Sequence, residues 1–345
     1  MSALKDIAIK TQLSLAPFTT FHIGGPARVF IEAHTEEEVE AARAEAARRA
    51  LPLVPLGNGS NILVPDTGVE GVVLKMALRD IAFEDREDDT LLIAGAGLAW
   101  DTVVDAAVAQ GLFGIENLAG IPGTIGGASV QNIGAYGASF SDVFAYADTI
   151  DRVTGARVRV THAEAGFGYR ASSFKTIRNL IITRVALRLS KRAELNLSYP
   201  DLARAREEGV LLTTPAEIAY AVRAIRTKKF PQAAEEGTAG SFFKNPVIPQ
   251  AAAAALGARY PGLPVFPHEE GSAKLSLAWI LDHILSLKGY AVGRARLYEK
   301  QPLVVVARAG ALAREVETLA CEVEERVRAV TGIVTEREVE TFSTH

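Results

Sequence analysis

The sequence predicts an α+β protein of more than one domain, and three observations carry that expectation. Its 345 residues exceed what one compact core holds. Strand-like and helix-like segments alternate through the first half and then mix. The glycines cluster in three loops, two of them directly after strand signals, instead of spreading evenly.

The elements follow in order. Residues 30–56 read strand, helix, strand: Thr35 with Glu38 makes a capping box, and the Ala/Glu/Arg helix breaks at Pro52. The loop Gly57-Asn58-Gly59-Ser60-Asn61 comes at once. The acidic cluster from Glu84 to Asp89 lies between apolar runs at 72–74 and 91–93, which predicts an exposed turn and a domain boundary near it. Gly95-Ala96-Gly97 opens into a helix over 99–110 that stops at Gly111. The densest glycine stretch, 120–137, precedes strands at 149–153, 157–161 and 181–189.

Thr214-Pro215-Ala216-Glu217 combines an N-cap, a first-turn proline and a box glutamate, so a helix runs to Lys229 and ends at Pro231. An Ala-rich helix, a helix over 277–287 and a strand at 303–306 follow. A long helix over 311–331 presents Leu312, Val316, Leu319, Val323, Val327 and Val330 as a core face. The chain closes on a strand over 333–342. The division expected is 1–80 completed by 333–345, then 81–229, then 230–332.

Composition narrows the function classes. A net charge of -4 gives no general attraction for nucleic acid or an acidic membrane. A single cysteine, Cys321, excludes an intramolecular disulfide and any thiolate metal cluster, so no metal site is expected and Cys321 reads as core. The N-terminus lacks a signal-peptide pattern, and no apolar run reaches the roughly 20 residues of a membrane span. The chain is expected to stay in the cytoplasm and to act as a monomer.

Phosphates bind where backbone N–H groups converge, which glycine permits. Three stretches qualify: Ile23-Gly24-Gly25-Pro26, Gly57 to Asn61, and Pro122-Gly123-Thr124-Ile125-Gly126-Gly127-Ala128-Ser129. One alone would be a tight turn. Trp100 stands where a dinucleotide fingerprint after Gly95-Ala96-Gly97 needs its third glycine, and no Gly-Lys-Ser/Thr loop occurs, so a separate nicotinamide-nucleotide domain is not expected.

Longer runs carry a resemblance. Phe18 to Ala27, Leu56 to Leu63, Ile121-Pro122-Gly123 through Gln131-Asn132-Ile133-Gly134-Ala135-Tyr136-Gly137, Phe167 to Lys175, and Gly240-Ser241-Phe242-Phe243-Lys244-Asn245-Pro246 resemble, in matching order, the UDP-N-acetylenolpyruvoylglucosamine reductase (MurB) family, type I. The resemblance implies a two-subdomain FAD-binding fold of the vanillyl-alcohol-oxidase (PCMH) type plus a third α+β domain over the substrate. It also implies noncovalent FAD despite His22 beside the glycines, NADPH as reductant, a UDP-linked amino sugar as substrate, and ping-pong kinetics in peptidoglycan precursor synthesis. The cofactor residues it implies are Ile23, Gly24 and Gly25; Gly57, Asn58, Gly59, Ser60 and Asn61; Pro122, Gly123, Gly126, Gly127 and Ser129; and Gln131, Asn132, Gly134, Ala135 and Tyr136.

Hydride addition to an enolpyruvyl carbon sends negative charge toward the adjoining carboxylate. Arg170 suits that charge, since a guanidinium is permanently cationic and can meet a carboxylate with two hydrogen bonds. By resemblance Ser241 gives the proton, with Lys244 or Lys229 polarising its hydroxyl. Period-two alternation puts Val334, Glu336, Glu338, Glu340 and Phe342 on one face and does not choose between Glu336 and Glu338. The resemblance selects Glu338, although the family pattern Glu-Pro-Glu-Val has Arg337 in place of its proline here. It further implies Tyr199, Lys229, Lys244, Asn245 and Gln301 as substrate contacts. Two rivals remain on the sequence: an oxidase or dehydrogenase of the same flavin fold, and a non-catalytic nucleotide-binding protein.

Overall fold

The computed structural model describes residues 7–177, 179–192, 195–231 and 236–344. The first sheet holds β1 (Ile9–Ser14), β2 (Pro26–Ala33), β3 (Leu53–Leu56) and β5 (Val69–Met76), in the order β1-β2-β5-β3. β5 runs parallel to both β2 and β3, whereas β1 is antiparallel. A central parallel strand is covered on both faces, and β5 accordingly is a nearly unbroken apolar run, buried except at Glu70. Helix α1 (Glu36–Arg49) begins where expected: Thr35 accepts from the Glu38 N–H at 3.3 Å, while Glu38 accepts from the His34 N–H at 2.7 Å. Ala50, left-handed at φ 52°, turns the chain toward Pro52. β4 (Ile62–Leu63) lies outside this sheet.

A second, five-stranded antiparallel sheet is built from β6 (Ile81–Asp85), β7 (Asp89–Gly95), β8 (Phe144–Asp151), β9 (Arg157–Thr161) and β10 (Leu180–Ser190). Its order is β9-β8-β10-β7-β6. The acidic cluster is therefore the exposed tip of the β6–β7 hairpin. Helix α3 (Ile125–Gln131) packs on this sheet, with α2 (Trp100–Ala109) against α3, and α4 (Pro200–Glu207) and α5 (Pro215–Lys229) follow. Trp100 is buried and donates its indole N–H to the Leu118 carbonyl at 2.9 Å. The Thr214–Glu217 capping box forms as written, with Glu217 N–H to Thr214 Oγ1 at 3.2 Å.

The last part carries two small antiparallel sheets. One is β11 (Gly237–Ser241) with β15 (Ala291–Val292), β16 (Ala295–Leu297) and β17 (Val304–Ala307); the other is β12 (Val247–Pro249), β13 (Val265–Pro267) and β14 (Ser272–Leu275). Helix α6 (Gln250–Arg259) precedes β13, and α7 (Ala313–Thr331) packs on the first of these sheets. One core runs continuously from α1 and the first sheet into the second sheet, while a separate core fills the last part and takes in Phe21, Ile23, Leu63 and Val339.

Four expectations are corrected. The helix expected over 277–287 is one turn at Leu277–Trp279 that opens into a π-helical turn over Ile280–Ile284. Cys321 is exposed, because Val316, Leu319, Ala320, Val323 and Val327 form the buried stripe of α7 and position 321 falls beside it. Leu312 caps α7 and is exposed, so it is not part of that stripe. The final strand is short: only β18 (Glu340–Thr341) is paired as a strand, parallel to β4. The segment changes partners between 338 and 340, which breaks the single-face alternation.

No helix among the described residues is long and apolar enough to cross a membrane. Helix α7 receives its N-terminal cap from another part of the chain. Asp66 accepts from the Ala313 N–H at 2.7 Å and the Arg314 N–H at 3.1 Å, satisfying orphan donors at the positive end of the helix. Asp66→Ala is expected to lower the unfolding free energy by about 1–2 kcal/mol in a urea titration, with Asp66→Asn losing less because its amide oxygen still caps. Equal stability of wild type and Asp66→Ala would show that water replaces the cap.

Candidate active site

A cleft of about 930 Å³ opens where the three parts of the chain meet. Its floor is the loop from Gly57 to Asn61 beside Pro122, Gly123 and α3. In the first loop three carbonyls are taken: Gly57 O accepts from Lys75, Gly59 O from the Thr20 N–H at 3.2 Å, and Asn61 O from the Glu340 N–H at 3.1 Å. The N–H groups of Asn58, Gly59, Ser60 and Asn61 have no acceptor among the described residues. A row of uncommitted donors at a cleft floor is an anion cradle. Its tightness depends on glycine: Gly59 has φ +60° and Gly123 φ +136°, and a Cβ on Gly123 would stand 2.9 Å from Ser60 Oγ.

The second loop contributes differently. Gly126 and Gly127 line the cleft, yet their N–H groups go to the Ala96 carbonyl at 3.1 Å and Thr124 Oγ1 at 3.2 Å. They supply room, not donors. Gln131, at the end of α3, donates to Glu338 at 3.0 Å while its buried Oε1 has no partner among the described residues. An orphaned acceptor beside a free amide row fits a ligand carrying both anionic oxygens and N–H groups, as FAD does. Gly134, Ala135 and Tyr136 form the adjoining wall. Burial pushes the Tyr136 hydroxyl up to about 12 despite the nearby Arg226.

Arg170 occupies a tight turn closed by Gly168 N–H to Ala171 O at 3.0 Å, with a left-handed φ of 53°. Such a backbone costs about 1 kcal/mol for a non-glycine residue and aims the side chain into the cleft. Its Nε donates to Glu338 Oε1 at 2.8 Å and its Nη2 to the Gly134 carbonyl at 2.7 Å. Ser241 ends β11, paired with Val304 of β17 just after a register shift and a left-handed Gly240 (φ 77°). Among the described residues nothing hydrogen-bonds its hydroxyl. Glu338 is held from behind: its N–H reaches the Phe242 carbonyl at 2.8 Å, and Asn61 donates to its carbonyl at 3.0 Å.

Tyr199 stands at the mouth, its ring edge-on to Tyr136 at 5.1 Å. Lys229 lines the cleft and pairs with Asp201 of α4. Asn245 and Gln301 line it too, Asn245 also accepting from the Leu277 N–H at 3.0 Å.

Several expected residues lie elsewhere. Ile23 is in the core of the last part, and Gly24 and Gly25 are packing glycines: Gly25 donates to the Pro65 carbonyl at 2.9 Å, and a Cβ there would meet the Asp66 carbonyl at 2.3 Å. Ser129 is fully buried and bonds its own helix at Ile125 O, 2.9 Å. Asn132 is buried behind the wall, bonding Gly168 O at 2.8 Å and the Ser141 N–H at 3.0 Å. Lys244 turns from Ser241 to Glu336 at 3.0 Å and lines a neighbouring groove, because Phe242 and Phe243 take the buried positions between them. Glu336, with its side chain 72% exposed, is outside the cleft. His22 is exposed and outside it as well.

Lys274 and Arg226 line the cleft without having been singled out. Burial, then the charge of Arg170, holds the Lys274 ammonium below its usual range, and it sits 5.2 Å from the Tyr169 ring centre. Its only sequence signal is alternation in β14, where Ala273 and Leu275 are buried on the other face.

Comparison with known proteins agrees with this geometry. Residues 27–161 match the FAD binding domain family, and residues 232–342 match the UDP-N-acetylenolpyruvoylglucosamine reductase, C-terminal domain family. The UDP-N-acetylenolpyruvoylglucosamine reductase of Pseudomonas syringae pv. syringae is 37% identical over 96% of this chain and 98% of its own. The Pseudomonas aeruginosa protein of the same name is 39% identical over the same shares. The crystal structure of the Thermus caldophilus reductase covers 98% of this chain and 99% of its own at 27% identity and a TM-score of 0.68. The first two sheets with their helices are thus an FAD-binding fold of the vanillyl-alcohol-oxidase type.

Arg337, between the two glutamates, explains how this chain departs from the expected proline. The flanking bonds are Lys244 N–H to Glu336 O at 2.9 Å and Glu338 N–H to Phe242 O, so the N–H of residue 337 takes no part in the ladder and a proline there would forfeit no ladder hydrogen bond. Here the side chain fixes the segment instead, bonding Glu324 at 2.7 Å and Glu317 on α7, which raise its pKa. Arg337→Ala is expected to cost about 1–3 kcal/mol in urea unfolding. A change within error would show that the ladder alone holds Glu338.

Proposed function

The chain belongs to the UDP-N-acetylenolpyruvoylglucosamine reductase family of FAD-dependent oxidoreductases, and on that footing we propose that it reduces the enolpyruvyl ether of UDP-N-acetylglucosamine to UDP-N-acetylmuramate with NADPH as reductant. The observation that carries the reading is the convergence of Arg170, Ser241 and Glu338, from three separate segments, on the cleft floored by free amides. The parts divide the work: 1–80 with 333–345, together with 81–229, hold the cofactor, and 230–332 covers the substrate.

FAD, when bound along the amide cradle, supplies two-electron transfer between the two substrates, which visit the cleft in turn. Arg170 keeps N–H groups on its Nη atoms for the substrate carboxylate, and its ion pair with Glu338 fixes the guanidinium plane in advance. As electrons arrive at the vinyl carbon, the charge growing on the carboxylate meets that preorganised cation, with Lys274 adding positive potential nearby. Ser241 gives its hydroxyl proton to the neighbouring carbon and regains one from water. A serine hydroxyl is a weak acid, so this step depends on the cations around it. Lys229, Asn245 and Gln301, with Tyr199 closing the mouth, hold the nucleotide diphosphate and sugar.

Ser241→Ala is expected to leave bleaching of the yellow enzyme by NADPH nearly unchanged and to slow its recovery on adding the enolpyruvyl nucleotide by roughly 10²–10⁴-fold, measured by stopped-flow absorbance. Equal losses in both half-reactions would make Ser241 structural. Recovery driven by oxygen and indifferent to the nucleotide would make the protein an oxidase.

A further inference from the structure

Lys75 is 9% exposed and lies beneath the cleft floor. It sits next to the last residue of β5, opposite Leu56 of β3, so its side chain emerges directly under the loop that β3 leads into. The ammonium donates to the Gly57 carbonyl at 2.5 Å and to Asn58 Oδ1 at 3.0 Å. Asn58 in turn donates through Nδ2 to the Gly123 carbonyl at 3.3 Å. One buried cation thereby orients the Asn58 amide and ties the two glycine loops together.

Its electrostatic effect points the same way. The Gly57 carbonyl and the Asn58 N–H belong to one peptide group: the cation sits on the carbonyl end, and the N–H end is among the free donors of the cleft. A positive charge there polarises the peptide toward an anion in the cradle. Among the described residues no carboxylate forms an ion pair with Lys75, although a buried charge normally has one. Glu32, the in-register neighbour of Lys75 on β2, favours its charge without closing to an ion pair, and Arg79 opposes it.

We propose that Lys75 is a positioning residue for the cofactor's diphosphate, fixing the amide cradle and supplying the countercharge beneath it. This rests on the placing of FAD along the Gly57–Asn61 loop. Burial, with Glu32 countering and Arg79 reinforcing, brings the Lys75 pKa down to about 8. The cation is therefore present below that pH and lost above it, and a bound diphosphate draws the proton back.

The test is FAD affinity of the apoprotein, by flavin fluorescence and by calorimetry in buffers of different ionisation heat. Lys75→Met, apolar and of similar length, is expected to weaken FAD binding roughly 10- to 100-fold below pH 8, and Lys75→Arg to retain most of the affinity. Just above that pH, wild-type binding takes up protons, whereas both variants bind without this uptake. Unchanged affinity in Lys75→Met, or the same proton uptake in both variants as in wild type, overturns the proposal. Gly123→Val distinguishes the premise: if it binds FAD normally, the cradle reading fails; if it loses FAD while Lys75→Met does not, only Lys75 is misassigned.

Discussion

The site depends on how residues 336–342 are pinned. Within these few residues the chain bonds first to 242–244, through Lys244 N–H to Glu336 O and Glu338 N–H to Phe242 O. It then crosses to the first glycine loop and β4, through Glu340 N–H to Asn61 O and Phe342 N–H to Leu63 O at 2.8 Å. The strand bearing Ser241 and the amide cradle are thereby held at a fixed spacing with Glu338 between them. Asn61 and Glu338 are 277 residues apart in sequence, so this closure is entropically costly and forms only when the rest of the fold has brought its ends together.

The Arg170–Glu338 ion pair closes the third side. Both side chains are largely buried, at 20% and 15% exposure, and a pair in that setting gains little net stability because desolvation offsets the attraction. Its value lies in geometry. Glu338 takes hydrogen bonds from Arg170 and from Gln131, and Arg170 is held on its other edge by Gly134, so neither group must be reoriented when charge develops. A free arginine would need to surrender side-chain freedom at that moment.

Local signals were legible in the sequence and long-range ones were not. The capping boxes at Thr35 and Thr214 involve partners a few residues apart, so reading them needed no fold. Glycine announces a close approach without naming its partner: at 57–61 the approach faces a cleft, whereas at Gly24 and Gly25 it is to Val64 and the Asp66 carbonyl. Ser129 and Asn132 sit in a cofactor-like run, yet a helix carbonyl and a neighbouring turn consume their polar atoms. Lys244 takes its orientation from Glu336, and Cys321 stands about 100° round α7 from the edge of the buried stripe, on the face that meets Arg337; neither partner is visible in the local sequence. Lys75 gave no signal, since a lysine near a strand end ordinarily reads as solvated.

The residues that face the cleft share a further property that explains where reactivity is housed. Arg170 and Tyr136 have left-handed backbones, Ser241 follows a left-handed Gly240 at a register shift, and Gly59 and Gly123 carry positive φ in the cradle. Regular strands point side chains alternately at a core and at solvent, and helices present stripes. Neither delivers a guanidinium, a hydroxyl and a row of bare amides to one point. Each is sustained by regular structure beside it: Phe144 of β8 against Phe167 just before the Arg170 turn, β17 against Ser241, β5 with its buried Lys75 under the cradle. The extensive sheets do not form the site; they hold in place the irregular turns that do.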